Sequence, residues 1–221
     1  MTKSELLFQR FCSDRGVPCS RVQEADTKRP DYWVQLATTN IVVEVKQLDP
    51  TPEERQLLAT PYEEWNPEYI YHWGTPGERV RKKISTAVPQ LKALSKGVFP
   101  TLLVLYDAVK FWPELLDDYA LKVAMYGIET ILISPEPAPE GGATVLARWH
   151  GPRQRLTPVH NTSLSALAII REDAGVLTLD VYHNYYASIP IPAEMLARIS
   201  GSQYRLVRPP SQGFPNWELI S

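Results

Sequence analysis

Asn40-Ile41-Val42-Val43-Glu44-Val45-Lys46 is the stretch on which the fold turns. Strands rich in Val and Ile normally end on a turn residue, but this one ends on two charges. Period-2 alternation sends Ile41, Val43 and Val45 to one face and Val42, Glu44 and Lys46 to the other. Working backwards, Asp31-Tyr32-Trp33-Val34-Gln35-Leu36 reads as the preceding strand, with Ala37-Thr38-Thr39-Asn40 as a hairpin loop. Pairing Leu36 with Ile41 sets Asp31 opposite Lys46 and Trp33 opposite Glu44, all on one face. Asp31 and Glu44 then become diagonal neighbours, with backbones about 7–8 Å apart. A one-residue slip would send the two acids to opposite faces, so the register decides the chemistry.

Two carboxylates and a lysine at a strand end can hold a divalent cation and a water against a phosphodiester. Mg²⁺ takes oxygen ligands and keeps several waters, so one or two carboxylates suffice, with the carbonyl of Val45 as a further ligand. A bound cation acidifies water and offsets charge on phosphate oxygens. Lys46, set beside two carboxylates, would act through its positive charge rather than as a general base. The plainer alternative is a surface hairpin with a Lys–Asp cross-strand pair, worth about 1 kcal/mol or less.

Pro30-Asp31 followed by Glu44-Val45-Lys46, with a helix before and a helix–strand unit after, resembles the PD-(D/E)XK nuclease superfamily, to which restriction endonucleases and junction resolvases belong. The resemblance covers roughly residues 1–135. It implies an α/β fold of restriction-endonuclease-like type, an αβββαβ core with a mixed central sheet flanked by helices. It further implies that Asp31 and Glu44 are metal ligands and Lys46 the lysine of the motif, with Mg²⁺ or Mn²⁺ as cofactor. Many members carry an acid on the first helix that contributes to the metal site; Glu5 is the residue placed for it, although a helix cap explains it equally well. Polar residues on the helix after the Glu-x-Lys strand often assist, which singles out Gln90 and Lys83.

Composition sets the outer limits. The chain has 221 residues, 44% hydrophobic and 22% charged, as expected of a globular protein of one elaborated domain. No apolar run is long enough to span a bilayer, and Met1-Thr2-Lys3-Ser4-Glu5 leads into an amphipathic helix rather than a signal peptide. Cys12 and Cys19 are too few for a disulfide framework and lack metal-site spacing, so a reducing cytoplasm is expected. A net charge of −2 does not favour nucleic acid by itself, because phosphate binding needs local positive potential. Arg79, Arg81, Lys82, Lys83, Lys92 and Lys96 concentrate in one helix, while Glu53, Glu54, Glu63, Glu64 and Glu68 gather in one loop. Arg79, Lys82 and Lys83 are the expected nucleic-acid-binding residues.

Along the chain, residues 3–14 read as a helix with a Thr2–Glu5 capping box. Residues 19–24 begin a three-strand meander completed by 31–36 and 40–46. The long segment 49–75 carries Trp65, Tyr69, Tyr71 and Trp73, which could stack on bases, cover the site, pack on the domain or form a homodimer contact. Thr75-Pro76-Gly77-Glu78 predicts a helix start, with Thr75 as the cap, and Pro89 predicts a break near Ser85–Val88. A buried strand at 101–107 follows, then a helix from Pro113 to Tyr126 capped by Gly127, then a strand at 128–134. Strands at 143–150, 163–171 and 176–183 either extend the main sheet or form a small lobe; the absence of a composition shift favours a C-terminal β extension (143–199), and 200–221 is a tail of uncertain order.

His150, His160 and His183 show no metal spacing, and no nucleophile elbow or phosphate-cradling glycine loop is present. The expected function is therefore metal-dependent phosphodiester hydrolysis, with DNA as the nucleic-acid partner, although no residue separates DNA from RNA. The alternative is a non-catalytic binding or assembly module that retains the fold, in a defence or mobile-element setting.

Overall fold

A computed structural model describes residues 1–23, 29–61, 64, 75–109, 115–137 and 142–220. The chain is α/β, with a mixed central sheet flanked by helices. Helix α1 (Lys3–Asp14) leads into β1 (Cys19–Arg21), β2 (Tyr32–Leu36) and β3 (Thr39–Leu48), an antiparallel meander. After α2 (Pro52–Ala59), helix α3 (Glu78–Ser95) returns the chain to β4 (Thr101–Asp107), which pairs parallel with β3. Helix α4 (Asp118–Tyr126) and the hairpin β5 (Glu129–Pro137) and β6 (Ala143–His150) follow. The chain then re-enters the sheet with β7 (Ala166–Asp173) and β8 (Val176–His183), and after α5 (Ala193–Leu196) with β9 (Ser202–Leu206) and β10 (Trp217–Leu219). The order across the eight-stranded sheet is β1-β2-β3-β4-β7-β8-β9-β10.

The sheet separates two apolar cores. Leu7, Phe8 and Phe11 of α1 meet Tyr32, Val34, Val43, Val45 and Val104 on one face. Val80, Ile84, Val88 and Leu91 of α3 meet Val42, Leu103, Leu105 and Leu167 on the other. β4 is buried from Thr101 to Tyr106, the continuous apolar run of a central parallel strand covered on both sides.

Several expectations need correction. Strand 143–150 does not extend the main sheet; it pairs with β5 as a separate two-stranded sheet. The segment 200–221 contributes β9 and β10 to the main sheet, where Tyr182 stacks on Tyr204 with ring centroids 4.9 Å apart. Residues 52–59, read as loop, form α2: Thr51 and Glu54 make a reciprocal capping box ahead of Pro52. α3 starts at Glu78, not at the Thr75 cap, because Gly77 adopts a left-handed φ of 70° and crosses close to α4. A Cβ on Gly77 would fall 3.0 Å from the Cβ of Ala124 and closer still to the Ala120 carbonyl. Pro89 does not break α3, which is continuous to Ser95. Both Pro89 and Ser85 are exposed, so the Ser85 carbonyl left without its helical donor faces water. The aromatics Trp65, Tyr69, Tyr71 and Trp73 lie outside the described residues, as does Pro113, but the helix expected from there begins only at Asp118, where the Asp117 side chain caps it by accepting from the Ala120 N–H. No described helix is long and apolar enough to cross a membrane.

Candidate metal and phosphate site

The hairpin register differs from expectation by two residues. Leu36 pairs with Thr39 and Val34 with Ile41, because the turn is only Ala37-Thr38, with Ala37 in a left-handed conformation at φ 51°. Trp33 therefore lies opposite Val42, and Asp31, one residue beyond the Tyr32–Val43 pair, lies opposite Glu44. A two-residue shift preserves the face, so the acids are still brought together.

Asp31 is fixed at both ends. Its carbonyl accepts from the Val22 N–H at 2.9 Å, and its Oδ2 accepts from the Val45 N–H at 2.8 Å. A strand residue directs its N–H and C=O to the same side, so the Val45 carbonyl faces the edge that Asp31 occupies. Glu44 is 1% exposed on the face covered by α3, and its Oε1 accepts from the Lys46 ammonium. With its amide nitrogen turned inward, Gln90 of α3 donates to Glu44 Oε2 at 3.2 Å. The Asp31 and Glu44 carboxyls lie within hydrogen-bonding reach of each other.

Burial pushes Glu44 up to about 7, the Asp31 charge adds to this, and the Lys46 hydrogen bond and charge oppose it. Asp31 is raised as well, chiefly by burial, against the pull of the Val45 N–H and Lys46. A buried and a half-buried carboxyl thus meet where both cannot be charged comfortably. That donor set fits a hard divalent cation, whose charge would resolve the conflict. Among the described residues, no group of three or more His, Cys, Asp or Glu gathers as a metal site.

Glu5 stands on α1. Thr2 caps the helix by accepting from the Glu5 N–H at 3.3 Å, but the Glu5 side chain lies 3.6 Å from Arg21 instead of completing the box. Its Oε2 is buried without a hydrogen bond, and its charge helps to raise Asp31. The structure therefore brings together Asp31, Glu44, Val45, Lys46 and Gln90, with Glu5 nearby.

The basic residues of α3 divide. Lys82 is exposed and pairs with Glu78 at 3.1 Å, an i,i+4 surface pair. Lys83 is half-buried; burial lowers its pKa against the pull of Asp49, and the neighbouring Lys46 and Arg79 lower it further. Arg79 holds Glu54 at 2.8 Å and also donates to the Asp49 carbonyl. Arg81 is buried, donating to the Pro76 carbonyl at 2.9 Å, and cannot meet a phosphate. The acids are accordingly not segregated from the bases, since Glu54 sits on Arg79. Gln47 was not anticipated: it accepts from the Ser4 N–H at 3.1 Å and donates to Asp49 at 2.5 Å, tying α1 to the end of β3. Only its place one residue past Lys46 could have signalled it.

The other candidates have structural roles. His150 Nδ1 donates to the Gly127 carbonyl at 2.9 Å, and His183 Nε2 pairs with Gln203 Oε1 at 3.0 Å. Cys12 and Cys19 are free thiols. No family model, curated protein or solved structure matches the chain.

Proposed function

We propose that this chain is a metal-dependent nuclease of the restriction-endonuclease-like type, hydrolysing phosphodiester bonds in DNA. One observation carries the reading: two carboxyls, the half-buried Asp31 just ahead of β2 and the buried Glu44 on β3, meet within hydrogen-bonding reach beside Lys46.

Asp31, Glu44 and the Val45 carbonyl would hold Mg²⁺ or Mn²⁺, which when bound supplies an acidified water and a counter-charge for the phosphate. The rest falls to the chain itself. The Val45 N–H fixes the Asp31 carboxylate, and Gln90 fixes that of Glu44. Lys46, already against Glu44, brings its ammonium to the attacking water and to the charge developing on the phosphate. Lys83, close enough to Lys46 to feel its charge, extends the positive field along α3 toward the DNA backbone.

The test is cleavage of plasmid, linear, single-stranded and branched DNA with Mg²⁺ or Mn²⁺. Lys46→Ala should lose about 100-fold or more in rate while still folding, the usual scale for a transition-state charge partner. Calorimetry with Mn²⁺ should give heat with the native chain and none with Asp31→Asn. A folded native chain inert on all four DNA forms and silent to Mn²⁺ would overturn the proposal.

A second reading, a binding or assembly module on the same fold, is favoured by the β5–β6 hairpin. It exposes Ile131, Leu132, Ile133, Leu146 and Trp149, an apolar surface of the kind that meets another protein. Metal-independent complex formation with no cleavage would favour it.

A further inference from the structure

Helix α2 has no buried residue, yet it is not adrift. Its Glu54 presents both carboxylate oxygens to Arg79 Nη1 on α3, at 2.8 and 3.0 Å, while Arg79 Nη2 reaches back to the Asp49 carbonyl. Arg55 closes the same turn by donating to the Pro50 carbonyl at 3.2 Å. Asp49 is the first residue past β3, the strand that carries Glu44 and Lys46, so this contact lies at the rim of the candidate site. Lys83, one turn along α3 from Arg79, is close enough to Asp49, Lys46 and Arg79 for its ammonium to feel all three.

A guanidinium binds carboxylate and phosphate oxygens alike, and here Nη1 alone spans both oxygens of Glu54. Arg79 is therefore the residue at this rim best shaped for a phosphate, and a carboxylate from a weakly anchored helix fills its grasp. The pair is partly exposed, with side chains 27% and 15% accessible, so it is a contact that an incoming anion can exchange.

We propose that Glu54 acts as an internal phosphate mimic: α2 closes over Arg79 in the free protein, and a DNA backbone phosphate displaces Glu54 to engage Arg79 beside Lys83. This rests on the nuclease reading of the site and adds a regulated phosphate contact to it. α2 is then a latch, held among the described residues by the Glu54–Arg79 ion pair and released by substrate.

Glu54→Gln is the discriminating variant. The Glu54 side chain also accepts from the Thr51 N–H at 2.7 Å in the capping box, and glutamine retains that acceptor while losing the charge. Binding of a fluorescein-labelled DNA duplex to the full chain in Ca²⁺ buffer should tighten about two- to five-fold in Glu54→Gln, the worth of one partly exposed ion pair. Arg79→Gln should weaken binding and flatten the log–log salt slope by about 0.9, one phosphate contact. Arg79→Gln with Glu54→Gln should bind like Arg79→Gln alone. Equal tightening by Glu54→Gln with and without Arg79 would mean general charge repulsion and would overturn the latch. So would unchanged binding in Glu54→Gln. In the native chain, amide exchange across α2 should quicken when duplex is added; unchanged exchange counts against displacement. If native chain and variants alike bind no DNA, the nuclease reading falls and takes the latch with it; binding without the Arg79 dependence removes the latch alone.

Discussion

β3 and β4 run side by side in parallel register, and the α3-facing positions of the two strands make a controlled pair. Glu44 lies level with Leu103, and Lys46 with Leu105. Leu103 and Leu105 are fully buried in the apolar core beneath α3, while Glu44, equally buried, meets a lysine, a glutamine and a second carboxyl. The same stratum of the same sheet therefore accepts leucine one strand away. A buried carboxyl is costly to keep charged, so its placement here works against the fold's own stability. Such a local conflict marks functional sites, where chemistry is retained at the expense of packing.

The comparison can be broken most sharply on the β4 side. Leu103→Ala should cost about 2–5 kcal/mol in chemical denaturation, since a fully buried leucine leaves a cavity that the sheet cannot close. Its metal response per folded molecule should persist. A loss below about 1 kcal/mol would mean the stratum is loosely packed and that the contrast with Glu44 carries no weight.

Glu44→Gln should act in the opposite direction, and with pH. Glu44 titrates at about 7 in the folded chain against an ordinary 4.5, so the native state holds the proton more tightly. The stabilisation from that raised value is complete below pH 4.5 and is lost as pH rises through 7. Relative to the native chain, Glu44→Gln should therefore be more stable at pH 8 in EDTA, by on the order of 1–3 kcal/mol, with the gain shrinking toward pH 5. Denaturant midpoints at the two pH values decide it; a gain that grows on acidification would contradict the sign. The same titration makes Mn²⁺ binding strengthen between pH 6 and 8, because the cation must displace the proton.

Gln90→Leu is the smallest of the three. Removing a neutral donor to Glu44 should change stability by about 1 kcal/mol. It should also move the Glu44 titration upward, since the amide favours the charged form. A carboxyl-detected NMR titration would show it; a downward movement would mean Gln90 does not face the carboxylate.

Much of this was legible in residues alone, and the reason is periodicity. The Leu36–Ile41 pairing expected for the hairpin is displaced by two residues, yet Asp31 and Glu44 still share a face. A strand repeats every two residues, so an even error in register leaves sidedness intact. Helices α1 and α3 were likewise readable from their apolar stripes. The Thr51–Glu54 capping box was in plain view but lay among Pro and Asp residues that signal a turn. Strands β9 and β10 are only five and three residues long and carry little periodic signal of their own.

Local alternation determined which side chains point together, because side-chain direction along a strand is a property of the backbone repeat. Partnership was decided only in three dimensions: that Glu54 would sit on Arg79, that Gly77 would bring α3 against α4, and that the C-terminal segment would join the sheet beyond β8. These pairings join residues distant in sequence, and their stability comes from area buried and charges matched across elements, which no short window of the chain contains.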